Sequence, residues 1–254
     1  MIPEDDRGFT LGDGLFETVL VRDGAPVLWA EHMTRLAQGC ARAGLPAPDP
    51  DFVWEAARRA LAGAPRRAAL RLSWSAGSGG RGVDRPAAPT PRLVAQAAAA
   101  PAPQGSVSLA TAAVRRNEGS PASRLKTLAY LDNVLARAEA RAAGADEALM
   151  LNNRGEVACA AVANLFWLQD GVLYTPALDC GVLAGVMRAA LVERARASGW
   201  AVEEAKAPRS ALDKIEALFL TNSLVGLRPV SALDGKPAPQ ADLAPLSAML
   251  ADLC

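Results

Sequence analysis

The chain has 254 residues, 51% hydrophobic and 21% charged, which suits one large domain or two small ones built around a substantial core in an ordinary soluble globular protein. Lys+Arg and Asp+Glu number 27 each, so the formal net charge is zero and the basic excess of a nucleic-acid binder is missing. The single histidine, His32, excludes a multi-His metal site within one chain, and the four lysines confine any lysine chemistry to Lys126, Lys206, Lys214 and Lys236. In chain order, residues 15–22 read as a strand, followed by a DG turn at 23–24 and a short strand at 26–29. Met33, Leu36, Cys40 and Ala43 recur at helical spacing, predicting a helix over 30–44 that stops at Gly44, and a second helix follows at 50–62. A strand at 68–75 leads into the GSGGRG loop at 77–82. The Pro- and Ala-rich run at 86–103 reads as strand plus surface loop, with strands at 92–98 and 106–113.

The polar stretch 115–124 is the best domain boundary. It divides the chain into a domain at 1–114, a linker at 115–123 and a domain at 124–254. Beyond it the pattern predicts a helix at 128–143, then strands at 146–151, 156–159, 163–168 and 172–175 separated by NNRG and DG turns. A helix at 186–198, a strand at 200–206, a short helix at 210–216, strands at 217–221 and 227–232 and a helix at 242–252 complete the chain. Strands and helices mix without strict alternation, so the fold class is α+β rather than a doubly wound parallel sheet.

The acidic N-terminal segment MIPEDDRGFTLGDG has no apolar run and is not read as a secretory signal, and no apolar stretch is long enough for a membrane span. Cys40, Cys159, Cys180 and Cys254 form no CxxC pair, so neither a metal nor a redox motif is expected, and free thiols suit a reducing cytoplasm.

Lys236 lies in a turn, Lys214 on an exposed helix face and Lys206 at the end of a charged strand. Lys126 differs: Leu125 and Thr127 flank it at a domain junction, where desolvation lowers an amine pKa toward Schiff-base chemistry. The same position also suits a surface lysine at a helix start. Gly185 opens the helix of GVLAGVMR, whose free N–H groups attract an anion. His32 and Arg35 share one helix face. The GSGGRG loop lacks the strand–GxGxxG–helix context of a dinucleotide site.

Taken in order, GDGLFETVLVRDG (12–24), EHMTRL (31–36), GSGGRG (77–82), SRLKTLAYLDNVLA (123–136), GADEALMLNNRGEV (144–157), ANLFW (163–167), GVLYTPAL (171–178), GVLAGVMR (181–188) and LFLTNSLVGLRPV (218–230) resemble the class IV aminotransferase family, the fold-type IV pyridoxal-phosphate (PLP) enzymes. The resemblance implies two domains: a small N-terminal α/β domain and a larger C-terminal one with a β-barrel-like sheet carrying the PLP lysine. It implies that Lys126 holds PLP covalently and moves protons, and that Arg35, the N–H groups of Val186 and Met187, and the side chains of Asn222 and Ser223 receive the phosphate. The family's usual glutamate facing the pyridine nitrogen is replaced here by Cys159. Glu156, three residues earlier, falls on the opposite face of an unbroken strand and is no stand-in unless a bulge intervenes.

The GGRG loop and the FLTNSL…RPV segment are most similar to members that cleave 4-amino-4-deoxychorismate to 4-aminobenzoate and pyruvate, on the route to folate. The expected substrate carries two carboxylates, for which Arg81, Arg116 and Arg228 are candidate partners, and Thr18 is a candidate for positioning a proton. Two alternatives stand beside this: a D-amino-acid or branched-chain transaminase, and a PLP-binding relative with little catalysis because of Cys159. The resemblance also implies a homodimer acting on a small molecule, with no nucleic acid, membrane or metal partner.

Overall fold

The computed structural model describes residues 2–100, 102 and 105–254. Positions 101 and 103 of the Pro- and Ala-rich run lie outside them. The chain packs as two compact units, Met1–Ala102 with Leu125–Tyr130, and Pro103–Arg124 with Leu131–Cys254.

In the first unit, α1 (Arg7–Thr10) precedes β1 (Gly14–Arg22), β2 (Ala25–Pro26), α2 (Trp29–Ala43), α3 (Pro50–Leu61), β3 (Arg67–Ser75) and β4 (Arg92–Ala99). The strands form an antiparallel sheet in the order β2-β1-β3-β4. Val19 and Val21 of β1 and Leu70 and Leu72 of β3 pack on Val53 and Ala57 of α3, while Leu36 and Cys40 of α2 cover Leu15 and Trp74. Asp49 caps α3 by accepting from the Phe52 N–H, and Gly44 ends α2 in the left-handed region, both as helix-end chemistry requires. The expected strand at 26–29 is only two residues long, because Leu28 turns left-handed (φ 52°) and Trp29 already begins α2.

The second unit runs through β5 (Val107–Thr111), α4 (Leu131–Ala142), β6 (Glu147–Leu151), β7 (Val157–Ala160), β8 (Asn164–Gln169), β9 (Val172–Pro176), α5 (Val186–Ala197), β10 (Ala201–Ala205), β11 (Ala217–Asn222), β12 (Gly226–Leu233), β13 (Lys236–Pro237) and α6 (Ala244–Ala248). Its nine strands form one mixed sheet in the order β10-β9-β8-β11-β12-β5-β6-β7, with β13 on β12. β7 ends that order yet turns directly into β8 through the Ala160 N–H to Ala163 C=O bond, so the sheet curls in the half-barrel manner expected. One face buries Leu149, Leu165, Trp167, Leu218 and Leu220; another cluster joins Ala136 and Ala140 of α4 to Met150, Ala158 and Cys159.

Packing divides the chain differently from the linear boundaries 1–114, 115–123 and 124–254. β5 pairs with β6 and β12, which draws the chain after Ala102, apart from residues 125–130, into the second unit. Residues 125–130 are sewn to β1 instead: the Phe16 N–H donates to the Lys126 C=O at 2.8 Å and the Leu128 N–H to the Gly14 C=O at 2.9 Å. Lys126 therefore belongs to the first unit and lies in an extended segment, not at a helix start; α4 begins only at Leu131. The expected helix at 242–252 is two short pieces, Ala244–Ala248 and a 3-10 turn at Ala251–Leu253. Leu246, Leu250 and Leu253 keep helical spacing across the break, which is what the periodicity detected.

Candidate active site

The first unit gathers charge around Lys126. Its ammonium lies 4.3 Å from the Phe16 ring centroid and 5.5 Å from that of Tyr130, and Arg71 sits over the same Phe16 ring at 3.8 Å. Burial lowers the Lys126 pKa most, the Arg35 and Arg71 charges lower it further and Glu17 opposes them; it falls to about 8. Glu17 is 1% exposed in the middle of β1. Its carboxylate accepts from Arg35 Nε at 2.8 Å and Arg35 Nη2 at 2.5 Å, and pairs with His32 Nδ1 at 2.7 Å. Burial pushes this carboxyl up, but the Arg35 and His32 hydrogen bonds outweigh it and hold the pKa below the ordinary value. An ionised carboxylate only accepts, so His32 Nδ1 carries the hydrogen in this contact.

Neither Glu17 nor Arg71 was singled out from sequence. The available signal was a charged residue inside each of two apolar strands, LFETVLV and ALRLSW. Arg71 is directly opposite Thr18 in the β1–β3 register, so both stand on one face of the sheet; Thr18 is half-buried and Arg71 exposed. Burial lowers the Arg71 pKa, with Tyr130 opposing.

The second unit builds a separate feature at one end of the β8–β11 pair. Gly185 caps α5 with no side-chain bond, leaving the N–H groups of Val186 and Met187 without intrahelical acceptors. Asn164, the first residue of β8, donates from Nδ2 to the Leu183 C=O at 2.9 Å, and its Oδ1 abuts Gly185 so closely that a Cβ there would meet it at 1.9 Å. Thr221 is the register partner of Asn164, fully buried, and its Oγ1 has no hydrogen-bond partner. Asn222 Oδ1 accepts from the Leu224 and Val225 N–H groups, and its Nδ2 donates to the Val162 C=O, so this side chain shapes the 222–226 turn that presents Ser223.

Cys159 is buried on β7 opposite Met150. Burial raises its thiol pKa, Arg116 lowers it and Glu147 raises it, with a net upward shift, so the thiol is neutral at pH 7. A register shift between Met150 and Leu151 marks a bulge in this ladder. Val157 packs in one core cluster, but Ala158 and Cys159 both pack in the other. The bulge that would defeat the parity argument therefore exists. Glu156 is nonetheless no stand-in: its carboxylate accepts from Asn152, Arg154 and the Cys180 thiol, and the charges acting on Cys159 are Arg116 and Glu147.

The three candidate substrate arginines have other surroundings. Arg116 is buried and donates to the Gly181 C=O, Asn133 Oδ1 and the Ser123 C=O, which makes it a clamp for three segments of the second unit. Arg228 reaches the Gly105 C=O at 3.3 Å, and Arg81 is exposed on the glycine-rich loop. That loop is organised around a cation: Arg7, 4% exposed, donates to the carbonyls of Gly79, Gly82, Val83 and Asp84.

Residues 14–233 match the family model for class IV aminotransferases. The chain belongs to the class IV aminotransferase family. It is 29% identical over 237 residues to an aminodeoxychorismate lyase of Vibrio harveyi, covering 91% of this chain and 87% of the relative. It is 29% identical over 276 residues to a bifunctional aminodeoxychorismate lyase / D-amino acid transaminase of Mycobacterium tuberculosis, covering 99% and 92%. Among solved structures, the 4-amino-4-deoxychorismate lyase of Pseudomonas aeruginosa superposes with a TM-score of 0.88 at 34% identity, covering 99% of this chain and 95% of that one. This class IV enzyme is therefore PLP-dependent, a lyase or a transaminase. Its residues fit the cofactor: an amine with a pKa near 8 suits covalent attachment, and an orphaned buried hydroxyl beside an uncapped helix start suits a phosphate. Among the described residues no cluster of metal-ligating side chains occurs, and no helix is long and apolar enough to cross a membrane.

Proposed function

We propose that the chain is a 4-amino-4-deoxychorismate lyase, releasing pyruvate and the folate precursor 4-aminobenzoate. PLP, when bound, supplies an electron sink. Lys126 is the residue to hold it and, once freed, to move the proton. With a pKa near 8, its amine both takes a proton from the carbon bearing the substrate nitrogen and returns one as the pyruvate C–O bond breaks. The Val186 and Met187 N–H groups, Ser223, the Asn222-braced turn and Arg35 are the set assigned to the phosphate, with Thr221 added to it. For the substrate carboxylates, Arg71 is a stronger candidate than Arg81, Arg116 or Arg228, because it shares an aromatic ring with Lys126 and a sheet face with Thr18.

The observation that carries the lyase over the transaminase is Cys159. A neutral thiol cannot keep a pyridine nitrogen protonated, which weakens the sink a transaminase needs. The lyase reaction ends in an aromatic ring, so more of its driving force resides in the substrate. Incubation with enzymatically prepared aminodeoxychorismate should yield 4-aminobenzoate and pyruvate in equal amounts, and a folded Lys126→Ala variant should yield neither. Turnover retained by that variant would sink the assignment. The similarity to a bifunctional relative keeps D-amino acid transamination as the second reading. D-alanine with 2-oxoglutarate is its assay, and turnover there without 4-aminobenzoate formation would select it.

The homodimer belongs to the same reading. Leu131, Val134 and Leu135 leave a stripe of α4 between 46% and 66% exposed, an apolar face that a second copy would cover. Light scattering on the purified protein should give twice the chain mass of 26.4 kDa. Four free cysteines, three of them buried, suit the reducing cytoplasm.

A further inference from the structure

Glu17 is the buried ion whose purpose the reading above leaves open. A carboxylate in the interior is expensive unless every lone pair is met, and here two arginine nitrogens and one imidazole nitrogen meet it. Its place on β1 is next to Phe16, which receives Lys126 twice: the Phe16 N–H bonds the Lys126 carbonyl and the Phe16 ring lies under the ammonium. The charges acting on the Lys126 amine are Glu17 from β1, Arg35 from α2 and Arg71 from β3, and the Tyr130 ring of its own segment lies 5.5 Å away. Among these the two arginines disfavour a proton on Lys126, and Glu17 alone favours it. A hydrophobic core would be served as well by leucine at position 17; a leucine would leave Arg35 without its fork and Lys126 among unopposed cations.

We infer that Glu17 is a positioning residue: its buried carboxylate locks the Arg35 guanidinium and the His32 ring in a fixed orientation and sets a negative charge against the cations that act on Lys126. Arg35 presented by a fork on two of its nitrogens cannot rotate about Nε, so its remaining edge is fixed by the pair rather than by its own rotamer. The field of Glu17 offsets part of the repulsion from Arg35 and Arg71.

The test reads the amine rather than turnover. The full chain, freed of cofactor with hydroxylamine, is labelled with limiting acetic anhydride across a pH series. The extent of labelling at each lysine is read by peptide mass spectrometry, which only four lysines make unambiguous. In the parent protein Lys126 should label with a midpoint near 8. Glu17→Gln, which keeps shape and removes charge, should lower that midpoint by about half a pH unit or more, with Lys214 and Lys236 unmoved. Glu17→Asp, which withdraws the charge by one methylene, should shift it the same way by less. Arg71→Gln, at an exposed position, should raise it. An unmoved Lys126 midpoint in a folded Glu17 variant overturns the inference, and Glu17→Asp, the smaller change, is the decisive arm if Glu17→Gln fails to fold. The inference rests on the proposed role of Lys126 for its consequence only. The labelling reports on the amine whatever the reaction, so a negative lyase assay and an unmoved midpoint are separate results.

Discussion

At the residue scale, two side chains, one half-buried and one buried, bear on the chemistry open to this protein. Lys126 combines a half-buried amine with aromatic walls and a lowered pKa, which is the combination a covalent cofactor attachment requires. Cys159 contributes a neutral thiol where the family resemblance leads one to expect a carboxylate. Its neighbour Arg116 is already satisfied by two carbonyls and an amide oxygen, so a carboxylate at 159 would add an ion pair rather than repair a broken one. Cys159→Glu should therefore fold, and it should raise the transaminase rate with D-alanine and 2-oxoglutarate by about tenfold or more, since each 1.4 kcal/mol of carbanion stabilisation is a factor of ten. Steady-state rates and the cofactor absorption spectrum check this. An unchanged rate and an unchanged spectrum together would show that position 159 does not act on the cofactor ring.

At the scale of elements, each unit has a backbone arrangement that leaves little room for substitution. The start of α5 approaches Asn164 at Gly185, where a Cβ would lie 1.9 Å from the Asn164 amide oxygen. Gly185→Ala should destabilise the protein by about 1–3 kcal/mol through overpacking. It should also weaken cofactor binding more than Gly199→Ala, where nothing lies within 4 Å of the added carbon and only the positive φ is strained. Urea titration and equilibrium cofactor binding separate the two effects. In the first unit, the glycine-rich loop folds its carbonyls inward onto Arg7, and Gly80 at φ +85° lets the Asp84 carbonyl close over it. This explains why GSGGRG is no anion cradle: the groups facing inward are acceptors. Arg7→Met should cost about 3 kcal/mol, the scale of breaking a buried ion pair, because Asp13 would keep only Arg85 as a partner. Amide exchange over 79–84 should rise most of all in that variant.

For the molecule as a whole, Lys126 couples stability to pH. Its folded pKa, near 8, lies below the ordinary 10.5, so folding disfavours the protonated amine. Below pH 8 the amine is charged in both states and the penalty is complete. Between 8 and 10.5 the unfolded chain binds more protons, so stability rises with pH, and above 10.5 the penalty is gone. Lys126→Met should thus be more stable than the parent at pH 7 by about 1 kcal/mol, with the gain vanishing toward pH 10.5. Paired urea midpoints at the two pH values measure it, and a gain of the same size at both would show that packing rather than charge is responsible.

Local pattern carried most of the strands and the long helices, because the apolar run of β1, the alternation in β3 and the 3–4 spacing in α2 are properties of neighbouring residues. It also narrowed the lysines to a candidate, since three of the four sat in solvated settings, and the family resemblance then implied the cofactor role of Lys126. Four things were beyond it. The extended run 125–130 has a helix-compatible sequence and becomes a strand-like partner of β1 only through bonds to Gly14 and Phe16, more than a hundred residues earlier. The bulge in β7 is a mismatch with β6, so it exists in the pairing and in neither strand alone. Glu17 and Arg71 acquire meaning only when α2 and β3 bring their partners to β1. Thr221 is an ordinary strand threonine until its register with Asn164 leaves its hydroxyl buried and unpaired beside the start of α5. By itself, then, the sequence determined the family and the fold class and singled out Lys126 as the candidate lysine, because periodicity, rarity and motif order are readable one segment at a time. Only the tertiary structure decided the charge around that lysine and the neutrality of Cys159, because desolvation and Coulomb interaction depend on distances between residues far apart in the chain.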